Sequence, residues 1–372
     1  MATIYKTLLP SDVVSTRTLL HEAIPITGTI VSGTFKYNST ALGNESNIKN
    51  FSHEMFQSVY DYPYLSSSAN HIFDLTVGYS TSSAHNNILD TSYHDKKTNT
   101  YNQMAQTLMG YDHTGSIRKF DLDGDFASLD DDKIKEALFV NFSRLLVKDE
   151  IKKGSFSITF GTASSFSGPF TDWAGNGKYI IGDTNGQNSY KINSPAGEYG
   201  ILYQQSPDSS ITKPQGLIFY QAGIAVIDLS GSVTGSTAPT EYSVPGSAGR
   251  AKMDSDGKHA MNLLTGAFSQ EASANAWRNR IGNISFNNTV ELNSTIYFCR
   301  ANHNEFNYSS NQTYITGSKI RVKNVSTDAP VSYITTVGLY STDNELLAVA
   351  KLSEPLKKDP SNEITLRVRL DY

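Results

Sequence analysis

The 372-residue chain has almost no cysteine, no long apolar run and no recognisable export signal. Cys299 is its one cysteine, so no disulfide can form within one copy. We interpret Cys299 as a small core side chain, with a reactive thiol as the alternative. No charged segment followed by an apolar run opens the chain, and no stretch is long enough to span a membrane. These absences predict folding in a reducing cytoplasm, without a membrane partner.

The chain also lacks a large excess of one charge and recognisable catalytic motifs. Lysine and arginine number 31 against 36 aspartates and glutamates, which gives a formal net charge of −5. No basic run is interleaved with aromatic residues, so a nucleic-acid partner is not expected. The eight histidines lack ligand spacing, and no nucleophile elbow, P-loop or dinucleotide fingerprint occurs. We therefore predict a protein that is not an enzyme, with no catalytic residue, cofactor or resident metal.

One acidic segment has part of the pattern of a metal-binding loop. Asp121, Asp123 and Asp125 have the spacing of a calcium loop. Such a loop needs glycine where the chain has Phe126 and closes on glutamate where the chain has Asp132. A polar turn leading into a helix is therefore the preferred interpretation.

Strand-forming patterns are abundant. Residues 364–372 alternate strictly between apolar and polar, as a half-buried strand requires. Just upstream, SYITTVGLY and ELLAVAKL flank a turn at residues 342–344, which predicts a hairpin. We predict a mainly β chain with a few helices (α+β), built from antiparallel sheets in a β-sandwich-like arrangement. Its C-terminus should form a three-stranded meander.

Composition divides the chain into four parts. Residues 1–50 are predicted to be an extended N-terminal arm, and residues 51–160 an α+β domain. Residues 161–250 are predicted to form a β-rich unit with long loops, ending in a Ser/Gly-rich linker at 230–249. Residues 251–372 are predicted to be a helix followed by an antiparallel β domain.

A helix is predicted at residues 130–153. Asp130 can cap its start, and lysines crowd its end. The apolar residues at helical spacing are Ile134, Leu138, Phe142, Leu145 and Leu146.

Phe166, Phe170 and Trp173 are aromatic residues in a Gly-rich stretch. Two interpretations of these residues stay open. They can plug their own loop onto the core, or they can stack on a sugar or a protein partner.

A second candidate contact loop, ANHNEFNYSSNQTYI, follows Arg300. Its asparagines, among them Asn304, can bond their own backbone and hold a fixed turn, while Phe306 and Tyr308 supply aromatic anchors. The loop either docks onto a neighbouring subunit or is an ordered strand connection, and the sequence favours neither.

Several segments of the chain resemble virion structural proteins of large tailed bacteriophages, above all those of marine and cyanobacterial phages with contractile tails. The segments are HEMFQSVYDYPYLSSSANHIFDLTVGYS, ALFVNFSRLLVKDEIKKGSFSITFG, GLIFYQAGIAVID, FCRANHNEFNYSSNQTY and VGLYSTDNELLAVAKLSEPLKK. The resemblance implies a non-enzymatic tail or baseplate subunit that assembles in the host cytoplasm into the virion. Its expected partners are copies of itself and other phage structural proteins, in an oligomer within the particle. Neck and head positions stay open.

The alternative is a host-surface glycan-binding or glycan-cleaving tail protein. That function would need a carbohydrate cleft with paired acids on the β-rich unit at 161–250. Carboxylate pairs elsewhere in the chain, such as Asp254 and Asp256, could in principle do glycosidase work, but paired acids also occur by chance among 36 acidic residues.

Overall fold

The computed structural model has the mainly β fold with a few helices that the sequence predicts. It describes residues 5–25, 47–83, 92–126, 133–161, 178–205, 211–229, 267–308, 315–316, 319–320, 327 and 330–372. The strands are β1 (Val13–Pro25), β2 (Ile48–Asn50), β3 (Gln57–Tyr60), β4 (His71–Tyr79), β5 (Glu136–Phe142), β6 (Glu150–Ile151), β7 (Ser157–Gly161), β8 (Lys178–Gly182), β9 (Lys191–Ser194), β10 (Gly197–Gln205), β11 (Ile211–Phe219), β12 (Ile224–Asp228), β13 (Ile281–Ala301), β14 (Ile315–Thr316), β15 (Lys319–Ile320), β16 (Ser332–Tyr340), β17 (Leu346–Lys358) and β18 (Ile364–Asp371). The helices are α1 (Ser92–Leu108), α2 (Arg144–Val147), α3 (Gly186–Ser189) and α4 (Gln270–Arg278). Among the described residues, no helix combines the length and the apolar character needed to cross a membrane.

The chain divides into two compact units. The central unit is Leu20–Val290, and the terminal unit combines Met1–Leu19 with Glu291–Tyr372. Strands β1 and β13 each cross this boundary, so the two halves of each strand are assigned to different units. The four-part division drawn from composition stays a prediction.

The central unit is built on a long antiparallel sheet. Its strands follow the order β2-β3-β4-β5-β12-β11-β10-β8-β7-β13, with β9 paired to β10 and β6 paired to β13. The registers along this path are antiparallel throughout. The sheet therefore has the antiparallel character that the sequence predicts.

Strand β5 lies in the middle of this sheet and is apolar on both faces. Its residues Leu138, Val140 and Phe142 belong to one buried cluster, to which α4 also contributes. Ala137 and Phe139 point to the other face and belong to a second cluster, to which α1 contributes. The two faces of β5 are thus covered by two separate hydrophobic cores.

This arrangement shows that the predicted helix at 130–153 is wrong in its described part. The segment forms β5, the single turn of α2 and the short β6 instead. A strand buried on both faces reads as a continuous apolar run, which also satisfies a helical spacing. Pairing with β4 on one side and β12 on the other then favours the strand. Asp130 lies outside the described residues.

The first cluster also shows that the sheet packs against itself. Phe142 of β5 and Phe286 of β13 have ring centroids 5.1 Å apart, although five strands separate β5 from β13 in the sheet order. Phe156 joins them, 5.8 Å from Phe142. Aromatic contacts across a core of this kind are what a β-sandwich-like packing produces.

In the terminal unit, the predicted hairpin forms but the predicted meander does not close. β16 and β17 pair as a two-stranded antiparallel sheet, with the turn at residues 341–345. The last strand, β18, pairs with β13 instead, from Ser294 opposite Asp371 to Ala301 opposite Ile364. Alternation fixes which face of a strand is apolar, but it does not fix the neighbouring strand.

Two other predicted elements are only partly described. Within the predicted arm at 1–50, β1 is a strand paired with β13 of the same chain rather than a free extension. The helix predicted to open the C-terminal part is α4, and residues 251–266 before it lie outside the described residues. The predicted linker at 230–249 lies outside them too.

Candidate functional site

The terminal unit differs from the central unit in where its apolar side chains lie. Both hydrophobic core clusters of the described chain consist of central-unit residues alone. Within the described part of the terminal unit, Ala301 and Val368 are the buried hydrophobic residues. Its exposed large hydrophobic residues are Tyr5, Leu9, Val14, Leu19, Leu292, Phe306, Tyr308, Tyr333, Tyr340, Leu346, Leu347, Val349, Leu356 and Tyr372. The terminal unit is therefore the candidate contact surface of this protein.

The β16–β17 pair, which we call the ribbon, carries much of this surface. Tyr340 lies directly opposite Leu346, and Gly338 lies opposite Val349, so these residues share one face. Tyr340, Leu346 and Val349 are 44%, 53% and 51% exposed. The side chains of Tyr340 and Leu346 lean over Gly338, where an added Cβ would come within 2.9 Å of the tyrosine ring. We call this side of the ribbon the apolar face.

The opposite side of the ribbon is less open to solvent. Val337 pairs with Ala350 and Leu339 with Ala348, and all four residues are half-buried. An isolated two-stranded ribbon has marginal stability in water. In this ribbon the apolar face is the more exposed of the two, although the ring of Tyr5 packs on Tyr340.

The loop after β13 holds three of the six predicted contact residues. Asn304, Phe306 and Tyr308 are exposed, and the two aromatic rings are 46% and 60% exposed. Phe306 also has a backbone φ of 54°, in the left-handed region that few residues with a side chain adopt. The structure thus brings these residues together on the surface rather than into a core.

A buried lysine holds this loop in shape. Lys358 of β17 is fully buried, and its Nζ donates to Asn307 Oδ1 at 2.7 Å, to the Asp359 carbonyl at 2.8 Å and to the His303 carbonyl at 3.3 Å. Asn307 Nδ2 donates in turn to the His303 carbonyl at 2.7 Å. Sequence reasoning missed Lys358, because lysine is almost never buried and nothing in its neighbours marks it.

N-terminal residues of the terminal unit pack on the same region. Lys6 forms an ion pair with Glu305 of the loop, and the rings of Tyr5 and Tyr340 meet edge to face at 4.8 Å. Asp12 pairs with Arg300 at 2.8 Å. The described start of the predicted arm therefore lies on its own chain.

The other three predicted contact residues, Phe166, Phe170 and Trp173, lie outside the described residues, as does the acid pair Asp254 and Asp256. Their plugging and stacking interpretations stay predictions. Cys299 is half-buried, and burial together with the nearby Asp12 carboxylate raises the pKa of its thiol. A raised pKa disfavours the thiolate that a reactive cysteine needs.

The acidic segment at Asp121 does gather its carboxylates. Ligand atoms of Asp121, Asp123 and Asp125 lie within 4.8 Å of one another. The fully buried Asp121 carboxylate, however, accepts a hydrogen bond from the Lys133 ammonium. It also accepts one from the backbone N–H of Phe126 at 2.8 Å. Burial raises the pKa of Asp121, but the Lys133 ammonium and hydrogen bonds from Asp123 outweigh it and hold the pKa below its usual range. Lys133 thus closes this turn through its contact with Asp121, which accounts for the cluster of three aspartates on structural grounds.

A small groove in the central unit combines aromatic, amide and carboxylate groups. It is lined by Asn50, Phe51, Glu54, Phe56, Gln57, Gln270 and Glu271. Gln270 is 1% exposed, and its Oε1 has no hydrogen-bond donor among the described residues. Asn50 Nδ2 donates to Glu271 at 2.7 Å, and Gln57 Nε2 donates to Asn50 Oδ1 at 2.6 Å. The groove leaves no space for a ligand, because the Phe51 ring is stacked on His53 at 5.0 Å and lies 4.8 Å from the Lys49 ammonium.

The chain matches no protein-family model, no curated protein and no solved structure.

Proposed function

We propose that this chain is a non-enzymatic structural subunit of the virion of a large tailed bacteriophage, in its tail or baseplate. The subunit assembles in the host cytoplasm and binds copies of itself and other structural proteins of the particle. The single observation that carries the proposal is the described terminal unit, which exposes its large apolar residues and buries almost none. The bacteriophage setting rests on the resemblance of the segments quoted above.

A unit that exposes many large apolar residues and buries few favours a protein partner, because exposed apolar patches mark interfaces. Obligate interfaces are the most apolar class and resemble a domain core cut in half. A terminal unit without a core of its own fits that class.

The central unit supplies the complementary requirement, which is independent folding. Its two clusters cover both faces of the middle of the sheet, from β5 through β12 and β11. An assembly subunit must stay folded in the host before its partners arrive. The chain thus combines a self-sufficient unit with a unit that depends on contacts.

The proposal is tested on purified particles of a phage that encodes the chain. Quantitative mass spectrometry should recover the chain at a fixed number of copies per particle, and antibody labelling should place it on the tail or baseplate. Absence of the chain from washed particles would contradict the proposal.

Variants of the loop add a sharper test. Replacing Phe306 and Tyr308 together by alanine should reduce incorporation into particles and leave the melting temperature of the free protein unchanged, because both rings are exposed. Tyr111→Ala is the matched control, since Tyr111 is 52% exposed on the central unit. If the double variant unfolds instead, the loop is a structural connection.

A further inference from the structure

Strand β1 lies on β13 with little apolar cover. Val13 is half-buried, and residues 14–22 are all exposed. Only near the end of the strand does Ile24 pack on the first core cluster. β18, which pairs with the other edge of β13, buries Val368 and has half-buried apolar residues on either side of it. Apolar burial therefore holds β18 in place more than it holds β1.

Charged side chains hold the N-terminal segment instead. We call residues 5–22 the strap. All four side chains of the strap that carry a formal charge form ion pairs with later parts of the chain. The pairs are Lys6 with Glu305, Asp12 with Arg300 at 2.8 Å, Arg17 with Glu291, and Glu22 with Lys148 at 2.7 Å. The first three lie within the terminal unit and the fourth lies within the central unit, so the pairs run along the whole strap.

The strength of these ion pairs depends on ionic strength. At least one partner of every pair is partly exposed, and the side chains of Arg17 and Glu22 are each 60% exposed. Dissolved salt screens such charges, with a screening length of about 10 Å at 0.1 M and about 3 Å at 1 M. Salt does not weaken the burial of apolar side chains in the same way. The strap should therefore loosen in salt while β18 stays in place.

We propose that the strap is an electrostatic latch, which releases β13 as one segment, ahead of the unfolding of the rest of the chain, when its ion pairs are screened or removed. Segments with few buried apolar contacts open locally at a lower free energy than the core does. Ile24 marks the end of the released segment, because it packs on the core. The inference goes beyond the proposed function, since the latch operates whatever the partner of the chain is.

Release of the strap changes what the terminal unit presents to other proteins. β1 covers the edge of β13 opposite β18, and an uncovered strand edge is a template for pairing with another strand. The ring of Tyr5 covers part of Tyr340 on the apolar face, and it leaves with the strap. The closed latch thus keeps the β13 edge and part of the apolar face covered.

Hydrogen exchange of the full-length chain at two salt concentrations tests the latch. Residues 13–22 should exchange at least about tenfold faster in about 1 M sodium chloride than in about 0.05 M. Residues 364–371 of β18 are the internal reference, because the described ion pair of that strand, Arg369 with Asp371, joins two residues of the same strand. Their exchange should stay the same at both concentrations.

Charge reversal separates the latch from a general effect of salt. Glu22→Lys places two like charges together at Lys148, so residues 13–22 should exchange about threefold faster at low salt. Adding Lys148→Glu restores an opposite pair and should restore the slow exchange. Glu54→Lys is the matched control, since it makes the same charge change in an ion pair with Lys96 at 3.1 Å, away from the strap. It should leave exchange of the strap unchanged.

Several results would overturn the inference. Equal exchange of residues 13–22 at both salt concentrations would show that the ion pairs do not hold the strap. Equal acceleration of β1 and β18 would show that the terminal unit opens as a whole. A Glu22→Lys effect that Lys148→Glu does not reverse would assign the effect to the substitution itself. These results stand apart from the proposed function, because none of them depends on recovery of the chain in particles.

Discussion

The burial of Lys97 makes the free energy of unfolding depend on pH. It is fully buried on α1, and its Nζ donates to the Phe268 carbonyl at 2.9 Å. Burial lowers the pKa of Lys97 to about 7, from an ordinary value of 10.5. Between these two values the unfolded chain binds a proton that the folded chain does not. The free energy of unfolding therefore rises with pH across this window, because the unfolded state binds more protons.

Lys97→Met should flatten this pH dependence. One group that titrates in this way contributes up to about 1.4 kcal/mol per pH unit to the slope. Urea unfolding at several pH values between 7 and 10 measures it. Lys96→Met is the matched control, because Lys96 lies one position along the helix and pairs with Glu54 at 3.1 Å nearer the surface. An unchanged slope in Lys97→Met would show that Lys97 is charged in the fold.

Lys358 is the second residue that decides local structure, because its ammonium joins the loop after β13 to β17. Lys358→Met would leave the Asn307 and His303 acceptors without this donor, at a cost of about 1–3 kcal/mol. Hydrogen exchange of residues 301–308 should become faster in this variant. Lys357→Met is the control, since the Lys357 side chain is 57% exposed and does not reach the loop acceptors. Equal exchange in both variants would contradict the role of Lys358.

At the scale of elements, the contact of α1 with β4 depends on one glycine. A Cβ built on Gly78 would lie 2.9 Å from the Lys97 carbonyl and 2.9 Å from the Tyr101 amide nitrogen. Gly78→Ala should therefore push the helix from the sheet and lower the free energy of unfolding by about 1–3 kcal/mol. Gly78→Val should cost more, and urea unfolding ranks the series. Two variants as stable as the wild type would show that the helix can shift freely.

The strands differ in how well their own sequences predict them. β16, β17 and β18 alternate and are bounded by turn residues, so their existence follows from the pattern. β5 is apolar at successive positions because both of its faces are buried, and this removes the alternation. A run of that kind is compatible with a helix, and only the neighbouring strands decide.

Strand partners and the details of the site follow less directly from the sequence. The hairpin could be predicted because its turn is local, whereas the pairing of β18 with β13 joins residues far apart in the chain. Asn304, Phe306 and Tyr308 could be predicted as surface residues from turn chemistry. The apolar face could not be, since it depends on the register that sets Tyr340 opposite Leu346.

At the scale of the whole molecule, the two units should differ in their dependence on partners. All residues of both core clusters lie within Leu20–Val290, which is one continuous stretch of chain. A fragment of residues 20–290 should therefore fold cooperatively by itself. Its unfolding by urea should be sigmoidal, with near-ultraviolet circular dichroism that disappears in the same transition.

A fragment of residues 291–372 should behave in the opposite way. It keeps the β13–β18 and β16–β17 pairings, but among its described residues only Ala301 and Val368 are buried hydrophobics. Hydrogen-bonded strands without a core do not offset the entropy of ordering the chain, so the isolated fragment should lack a cooperative transition. If it unfolds cooperatively as a monomer, the fragment is stable without a partner to cover its exposed apolar residues. If it becomes cooperative only as its concentration rises, the missing core is supplied by another copy.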